Sequence, residues 1–223
     1  MTLFDHARKM INSRIAPLPE RMRPRSLDDL IGQQHILEKG KVLRTAIDSD
    51  QLPSVILWGP PGSGKTSLAR LVSGVTKAHF ESLSAVTSGV ADLRRIVNEA
   101  RDRLPMYGKR TILFIDEIHR FNKSQQDVIL PHVEDGTVTL IGATTENPSF
   151  EVNAPLLSRC RVFTLVGLSL DDLRIVVLRA LSDVEAGLGS MKSEISPKAL
   201  DHLLNYSNGD ARIALNALEI AVC

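Results

Sequence analysis

The sequence predicts an α/β fold of the phosphate-loop type: a five-stranded parallel sheet flanked by helices, followed by a small all-α lid. Three observations predict it. Short apolar runs bounded by turn residues alternate with helically patterned segments as far as about Val166. A glycine-rich loop stands between the first of these runs and a helix. After Gly167 the strand-like runs stop, and only helical segments with cap signals remain.

Residues 1–30 are rich in Pro and Arg, with Pro17, Pro19 and Pro24, and read as an extended lead-in. From Gln34 to about Asp48 the apolar residues recur at helical spacing. Pro53 then breaks the chain before SVILW (54–58), the expected first buried parallel strand. A helix is expected from Lys65 to about Val75, and FESLSA from Phe80 reads as the second strand. The next helix, 91–104, places Leu93, Ile96, Val97 and Ala100 on one face. TILFI (111–115) is the third strand, and Asn122 with Gln125 three residues on comes close to a capping box. VTLIGA from Val138 and VFTLV from Val162 are the fourth and fifth strands. Beyond them Ser169 caps a helix opening on Leu170, Asp171 and Asp172, acidic residues that suit the positive end of the helix dipole. Ser196 caps another, with Pro197 at its first helical position, and Asp210 starts the last. Residues 185–194, with Gly187, Gly189 and Ser190, are the expected loop between the first two lid helices. Leu200, Leu203 and Leu204 read as lid core, and Cys160 as a small packed residue. The predicted organisation is an N-terminal segment (1–30), an α/β domain (31–167) and a helical lid (168–223).

The length of 223 residues suits one large domain, or one domain plus a small one. An apolar share of 43% and a charged share of 24% are ordinary for a soluble globular chain. The formal net charge of +1 excludes a polycation that binds nucleic acid by bulk charge. Charge is uneven, however. Residues 1–25 hold Arg8, Lys9, Arg14, Arg21, Arg23 and Arg25 against Asp5 and Glu20, either a solvated arm or a phosphate-contacting one. The two cysteines, Cys160 and Cys223, exclude a disulfide framework and a four-Cys zinc site. No apolar run approaches the roughly 18 residues of a membrane span, and no signal-peptide core opens the chain. The expectation is an intracellular protein, of the cytoplasm or nucleoid in a bacterium or the nucleus in a eukaryote.

The stretch WGPPGSGKTSLARL contains G-x-x-x-x-G-K-T from Gly59 to Thr66. A strand precedes it and a helix follows, the context in which such a loop wraps backbone N–H groups around a polyphosphate. Gly59, Pro60, Pro61, Gly62, Ser63, Gly64, Lys65, Thr66 and Ser67 are therefore the candidate nucleotide-binding residues. Lys65 would neutralise the β and γ oxygens, and the Thr66 hydroxyl would sit on Mg²⁺. Asp116, at the end of TILFID, is the second candidate metal ligand. Glu117 beside it can polarise an attacking water, so the pair implies hydrolysis.

With these residues in view, the chain resembles the AAA+ ATPases. Within them it resembles the clamp-loader-like branch that contains bacterial RarA (also called MgsA) and eukaryotic Werner-helicase-interacting protein. The matching text includes PLPERMRPRSLDDLIGQQHIL from Pro17, ILWGPPGSGKTSLAR from Ile56 and LSAVTSGVADLR from Leu83. It continues with TILFIDEIHRFNKSQQDVILPHVEDGTVTLIGATTENPSF from Thr111, LLSRCRVF from Leu156 and GDARIALNALE from Gly209. The resemblance implies ATP and ADP as nucleotides. It makes Thr145 the sensor that orients the attacking water, Arg159 the arginine finger, and Arg212 a second sensor arginine reaching from the lid. It makes Arg23, Pro24, Ile31 and Gly32 the adenine-pocket segment. It also implies DNA as partner, at forks or at single-strand/double-strand junctions. Replication proteins such as a single-strand-binding protein, a polymerase or a clamp would be further partners. The zinc finger of the eukaryotic relatives has no Cys/His counterpart in this sequence. The family's tetramer-forming region lies past the lid, whereas this sequence ends at Cys223, so a fragment or shortened form is expected.

Residues 116–119 also spell the DExH box of certain helicases, a reading that needs a second motor domain. The segment from His119 to Lys123 is either a turn and helix cap or a coupling of DNA contact to Glu117. Three functions follow: a Mg²⁺-dependent ATPase remodelling DNA at replication forks or gaps, an ATP-binding interaction module, or a clamp-loader or branch-migration type of motor subunit.

Overall fold

The computed structural model describes residues 16–222. Arg8, Lys9, Arg14 and Asp5 of the basic arm, and Cys223, lie outside the described residues. In chain order the elements are α1 (Leu18–Arg21), a 3-10 turn (Leu27–Asp29), α2 (Gln34–Leu37), α3 (Val42–Asp48), β1 (Val55–Trp58) and α4 (Lys65–Val75). Then come β2 (His79–Ser84), α5 (Val90–Tyr107), β3 (Thr111–Asp116), a 3-10 turn (Ile118–Arg120), α6 (Lys123–Glu134) and β4 (Val138–Thr144). They are followed by α7 (Pro148–Glu151), α8 (Ala154–Leu157), β5 (Arg161–Thr164) and α9 (Leu170–Ser182). A 3-10 turn (Gly189–Met191), α10 (Pro197–Ser207) and α11 (Ala211–Val222) close the series. Two compact units result: Gln33–Pro60 with Gly64–Val166, and the described parts of 1–32 and 167–223 with Pro61–Ser63.

The first unit is a five-stranded parallel sheet in the order β2-β3-β4-β1-β5. Register runs Val55 to Ile141 and Arg161 across β1, and Thr111 to Val138 and His79 across β3. Interior strands β1, β3 and β4 are covered on both faces, which is why VILW, TILFI and VTLIGA read as continuous apolar runs. The edge strands are wetter: β2 keeps only Leu83 buried and β5 has no buried residue, which explains their polar content. Ile56, Leu93, Ile96, Leu113, Ile115 and Leu140 anchor the core of this unit. Burying each such side chain contributes roughly 1.5–3 kcal/mol.

Two stretches differ from the sequence expectation here. Residues 34–48 form α2 and α3 rather than one helix, because Glu38 is extended and Gly40 takes φ +87°. The helix expected over 91–104 runs on through Pro105 to Tyr107, ending on Gly108 in the left-handed region. The Asn122 cap holds as expected: Asn122 Oδ1 accepts from Gln125 N at 2.9 Å while Gln125 Oε1 accepts from Asn122 N at 2.9 Å.

The second unit is helical. Leu173, Val177, Leu200, Leu204, Leu215 and Leu218 form its core. Ser169 accepts from Asp172 N, Ser196 from Ala199 N and Asp210 from Arg212 N, as the cap signals predicted. The lead-in is not simply extended. Pro17 is the N-cap of α1 and Pro19 lies in its first turn, so these prolines open a helix. Leu18 is fully buried in the lid core, its N–H donates to Glu219 Oε2 at 2.9 Å, and Arg21 pairs with Glu219 at 2.8 Å.

Candidate active site

All five strands run parallel, so their carboxyl ends share one edge, the place where open α/β sheets bind ligands. At that edge β1 gives way to Gly59, whose N–H donates to Thr144 O at 3.2 Å. A Cβ on Gly59 would stand 2.3 Å from Leu165 O, so only glycine fits. Gly64, at φ +100°, caps α4. Lys65 follows, only 7% exposed, and its Nζ donates to Gly59 O at 2.7 Å and Pro60 O at 2.8 Å. Those carbonyls compensate an ammonium that burial would otherwise destabilise. The Thr66 hydroxyl donates to Asp116 Oδ2 at 3.2 Å, bringing the two expected metal ligands together. In the other unit, Gly62 (φ +70°) lies so close to Asp210 that an added Cβ would stand 1.9 Å from Oδ1.

The chain turns sharply after β3. Glu117 is in the left-handed region, φ 56° and ψ 48°, which costs a non-glycine residue roughly 1–2 kcal/mol. The turn is held by Arg120 N donating to Glu117 O at 2.8 Å and by fully buried Ile118. It returns His119, 9% exposed, to a position where Nδ1 is 3.3 Å from Glu117 Oε2 and 2.9 Å from Thr144 Oγ1.

Thr144 is the last residue of β4 and fully buried, and its hydroxyl also accepts from Glu146 N at 3.0 Å. Thr145 follows it directly and is half-buried. Arg159, just past α8, pairs with Glu134 and donates to Pro155 O at 2.7 Å. Both of these partners lie in the sheet unit, so Arg159 is engaged within that unit. In the helical unit Arg212 is exposed in the first turn of α11, and Arg23 pairs with Glu20 at 2.6 Å. Pro24 and Ile31 are half-buried. Gly32 takes φ +74° and is packed so that a Cβ would stand 2.7 Å from Leu168 Cδ2.

Gly59, Gly64, Lys65, Thr66, Asp116, Glu117 and Thr145 are predicted site residues that the sheet unit places at this edge. The sequence reading placed His119 only in a segment that is either a turn and helix cap or a coupling of DNA contact to Glu117, and named neither Thr144 nor Glu134 as part of the site. The DExH spelling marked His119, but nothing local told its ring from a turn residue, and Glu134 finds Arg159 only through folding. The cysteine reading holds for Cys160: burial pushes its thiol up to about 12. Among the described residues no group of three or more His, Cys, Asp or Glu could hold a metal ion. Mg²⁺ needs no such cage, since it takes one or two protein oxygens together with phosphate and water. The Thr66–Asp116 pair fits that pattern. No helix of the described residues is long and apolar enough to cross a membrane.

Residues 22–172 match the family described as the Holliday junction DNA helicase RuvB P-loop domain. The chain is 52% identical over 204 residues to replication-associated recombination protein A of Escherichia coli K12, covering 92% of this chain and 45% of that one. It is 47% identical over 207 residues to ATPase WRNIP1 of Dictyostelium discoideum, covering 93% of this chain and 23% of that one. It therefore spans less than half the length of these relatives. A solved structure of the Thermotoga maritima RuvB Holliday junction branch migration motor superposes with TM-score 0.72 at 31% identity, over 89% of this chain and 64% of that one. The chain belongs to the RuvB P-loop domain family of AAA+ proteins, alongside replication-associated recombination protein A and ATPase WRNIP1.

Proposed function

We propose that the chain is a Mg²⁺-dependent ATPase that couples hydrolysis to its grip on DNA at replication forks or gaps. One observation carries this reading. Lys65, the hydrogen-bonded Thr66–Asp116 pair and the strained Glu117 converge at the carboxyl edge of the sheet. The names of the relatives supply the DNA.

Residues 59–67 would cradle the phosphates through backbone N–H groups, with Lys65 exchanging its loop carbonyls for phosphate oxygens. Thr66 and Asp116 would hold Mg²⁺, which when bound screens the phosphate charge. Glu117 would take the proton of the attacking water, and Thr145 would orient that water. Arg23, Pro24, Ile31 and Gly32 would contact adenine, and Arg212 the γ-phosphate. Arg159, freed from Glu134, would complete a neighbouring copy's site and stabilise the spreading charge, an effect worth roughly 10³–10⁵ in turnover elsewhere.

The test is steady-state ATP hydrolysis across a wide protein concentration range, with and without junction DNA. Turnover per chain that rises with both is expected, and Glu117→Gln is expected to bind ATP and not turn it over. Near-normal hydrolysis by Glu117→Gln refutes the base assignment. The Arg159–Glu134 pair favours a second reading, an ATP-binding interaction module. Demonstrable ATP binding with flat, negligible turnover at every concentration selects it.

A further inference from the structure

We propose that His119 is a positioning residue that aims the Glu117 carboxylate, using Thr144 as its anchor; this rests on the reading of Glu117 as the base. Glu117 needs such a device. Its backbone sits in a sparsely populated conformation, and its side chain is 36% exposed. His119 supplies a contact. Its ring is 9% exposed, and Nδ1 faces Glu117 Oε2 at 3.3 Å and Thr144 Oγ1 at 2.9 Å.

The protonation of that nitrogen follows from its neighbours. An ionised carboxylate only accepts, so Nδ1 must carry a proton for its 3.3 Å approach to Glu117 Oε2 to be attractive. Thr144 agrees with this. Its hydroxyl can donate to Glu146 O at 3.2 Å, leaving its oxygen to accept from Glu146 N at 3.0 Å and from His119 Nδ1. The Nδ1–H form satisfies all these groups together, whereas in the Nε2–H form the Thr144 hydroxyl would turn from Glu146 O to donate to Nδ1, and Nδ1 and Glu117 Oε2 would be two acceptors facing each other.

Thr144 makes a rigid anchor. It is fully buried, ends an interior strand and pairs in register with Trp58 of β1, two residues from the phosphate loop's Pro60. The chain Trp58–Thr144–His119–Glu117 thus ties the direction of the base to the strand that leads into the phosphate loop. A shift of the carboxylate by about 1 Å can cost about 100-fold in rate.

Side-chain isosteres test this. Asn places its amide nitrogen where Nδ1 stands, and Gln where Nε2 stands. Four full-length variants are compared in ATP turnover and in affinity for a non-hydrolysable analogue: His119→Asn, His119→Gln, His119→Phe and Glu117→Gln. The expected result is a kcat loss of roughly 10–100-fold in His119→Phe and His119→Gln, recovery in His119→Asn, and analogue affinity within about twofold throughout. A His119→Phe enzyme with undiminished kcat, or equal kcat in the Asn and Gln variants, overturns the proposal. Nitrogen-15 NMR of the histidine rings gives an independent reading, with His119 assigned by its loss in the variants. An Nδ1–H ring supports the proposal, and an Nε2–H ring overturns it. If the unsubstituted chain shows no turnover, the ATPase reading fails by itself, and the ring tautomer still decides whether His119 faces Glu117 as a donor.

Discussion

Replacing Gly62 by Ala tests the closest approach in the helical unit. Two costs combine. At φ +70° an alanine is held in the left-handed region, worth roughly 1–2 kcal/mol. Its Cβ would stand 1.9 Å from Asp210 Oδ1 and 2.8 Å from Asp210 Cα, so the Asp210 side chain must leave its place. That side chain caps α11, accepting from Arg212 N at 2.7 Å and Ile213 N at 3.3 Å, and losing a cap costs about 1 kcal/mol. The sum is roughly 2–3 kcal/mol, which for a chain of this length lowers Tm by about 4–12 °C. Urea and thermal unfolding of three variants separate the contributions. Gly136→Ala isolates the backbone cost, since Gly136 has φ +74° and open space around it. Asp210→Ala isolates the cap. Gly62→Ala is expected to lose about as much as both together. A Gly62→Ala protein no less stable than Gly136→Ala would refute the close approach.

Further outcomes are expected. Gln126 is buried, donating to Phe121 O and Glu151 O and accepting from Asn153 N, so Gln126→Leu leaves three backbone groups unpaired and should cost roughly 3 kcal/mol or more in urea unfolding. Arg159 and Glu134 are each 41% exposed, so Glu134→Gln should change stability by less than about 1 kcal/mol in the same assay. Burial lowers the His132 imidazole below its ordinary 6.5, so the unfolded chain binds that proton first as pH falls. This contribution is complete above 6.5 and is lost below it, down to the folded-state value, so the urea midpoint of His132→Gln should depend less on pH across that window than the unsubstituted chain's. With Cys223→Ser in the background, the Cys160 thiol should resist alkylation at mildly alkaline pH until the chain unfolds, because its pKa is pushed up to about 12.

The strands show where sequence reading works. TILFID was legible because four consecutive apolar residues mark an interior parallel strand and its terminal carboxylate cannot be core. Asn122, Ser169 and Ser196 were legible because a cap bonds only its own first turn. The break within 34–48 was harder: Gly40 was visible, but helical spacing alone does not say whether a glycine bends one helix or separates two. The burial of Leu18 was hidden because Glu219, some two hundred positions away, receives its N–H.

By itself the sequence determined the parallel α/β class, the phosphate loop, the carboxylates that follow β3 and the capped helices of the lid. Each of these is written in contiguous residues, through local backbone preference and alternating burial. Only the tertiary structure decided that Thr66 meets Asp116, that His119 stands between Glu117 and Thr144, and that Arg159 rests on Glu134. Those partners lie on different elements, and a hydrogen bond a few ångströms long depends on where packing sets each backbone, which no local pattern records.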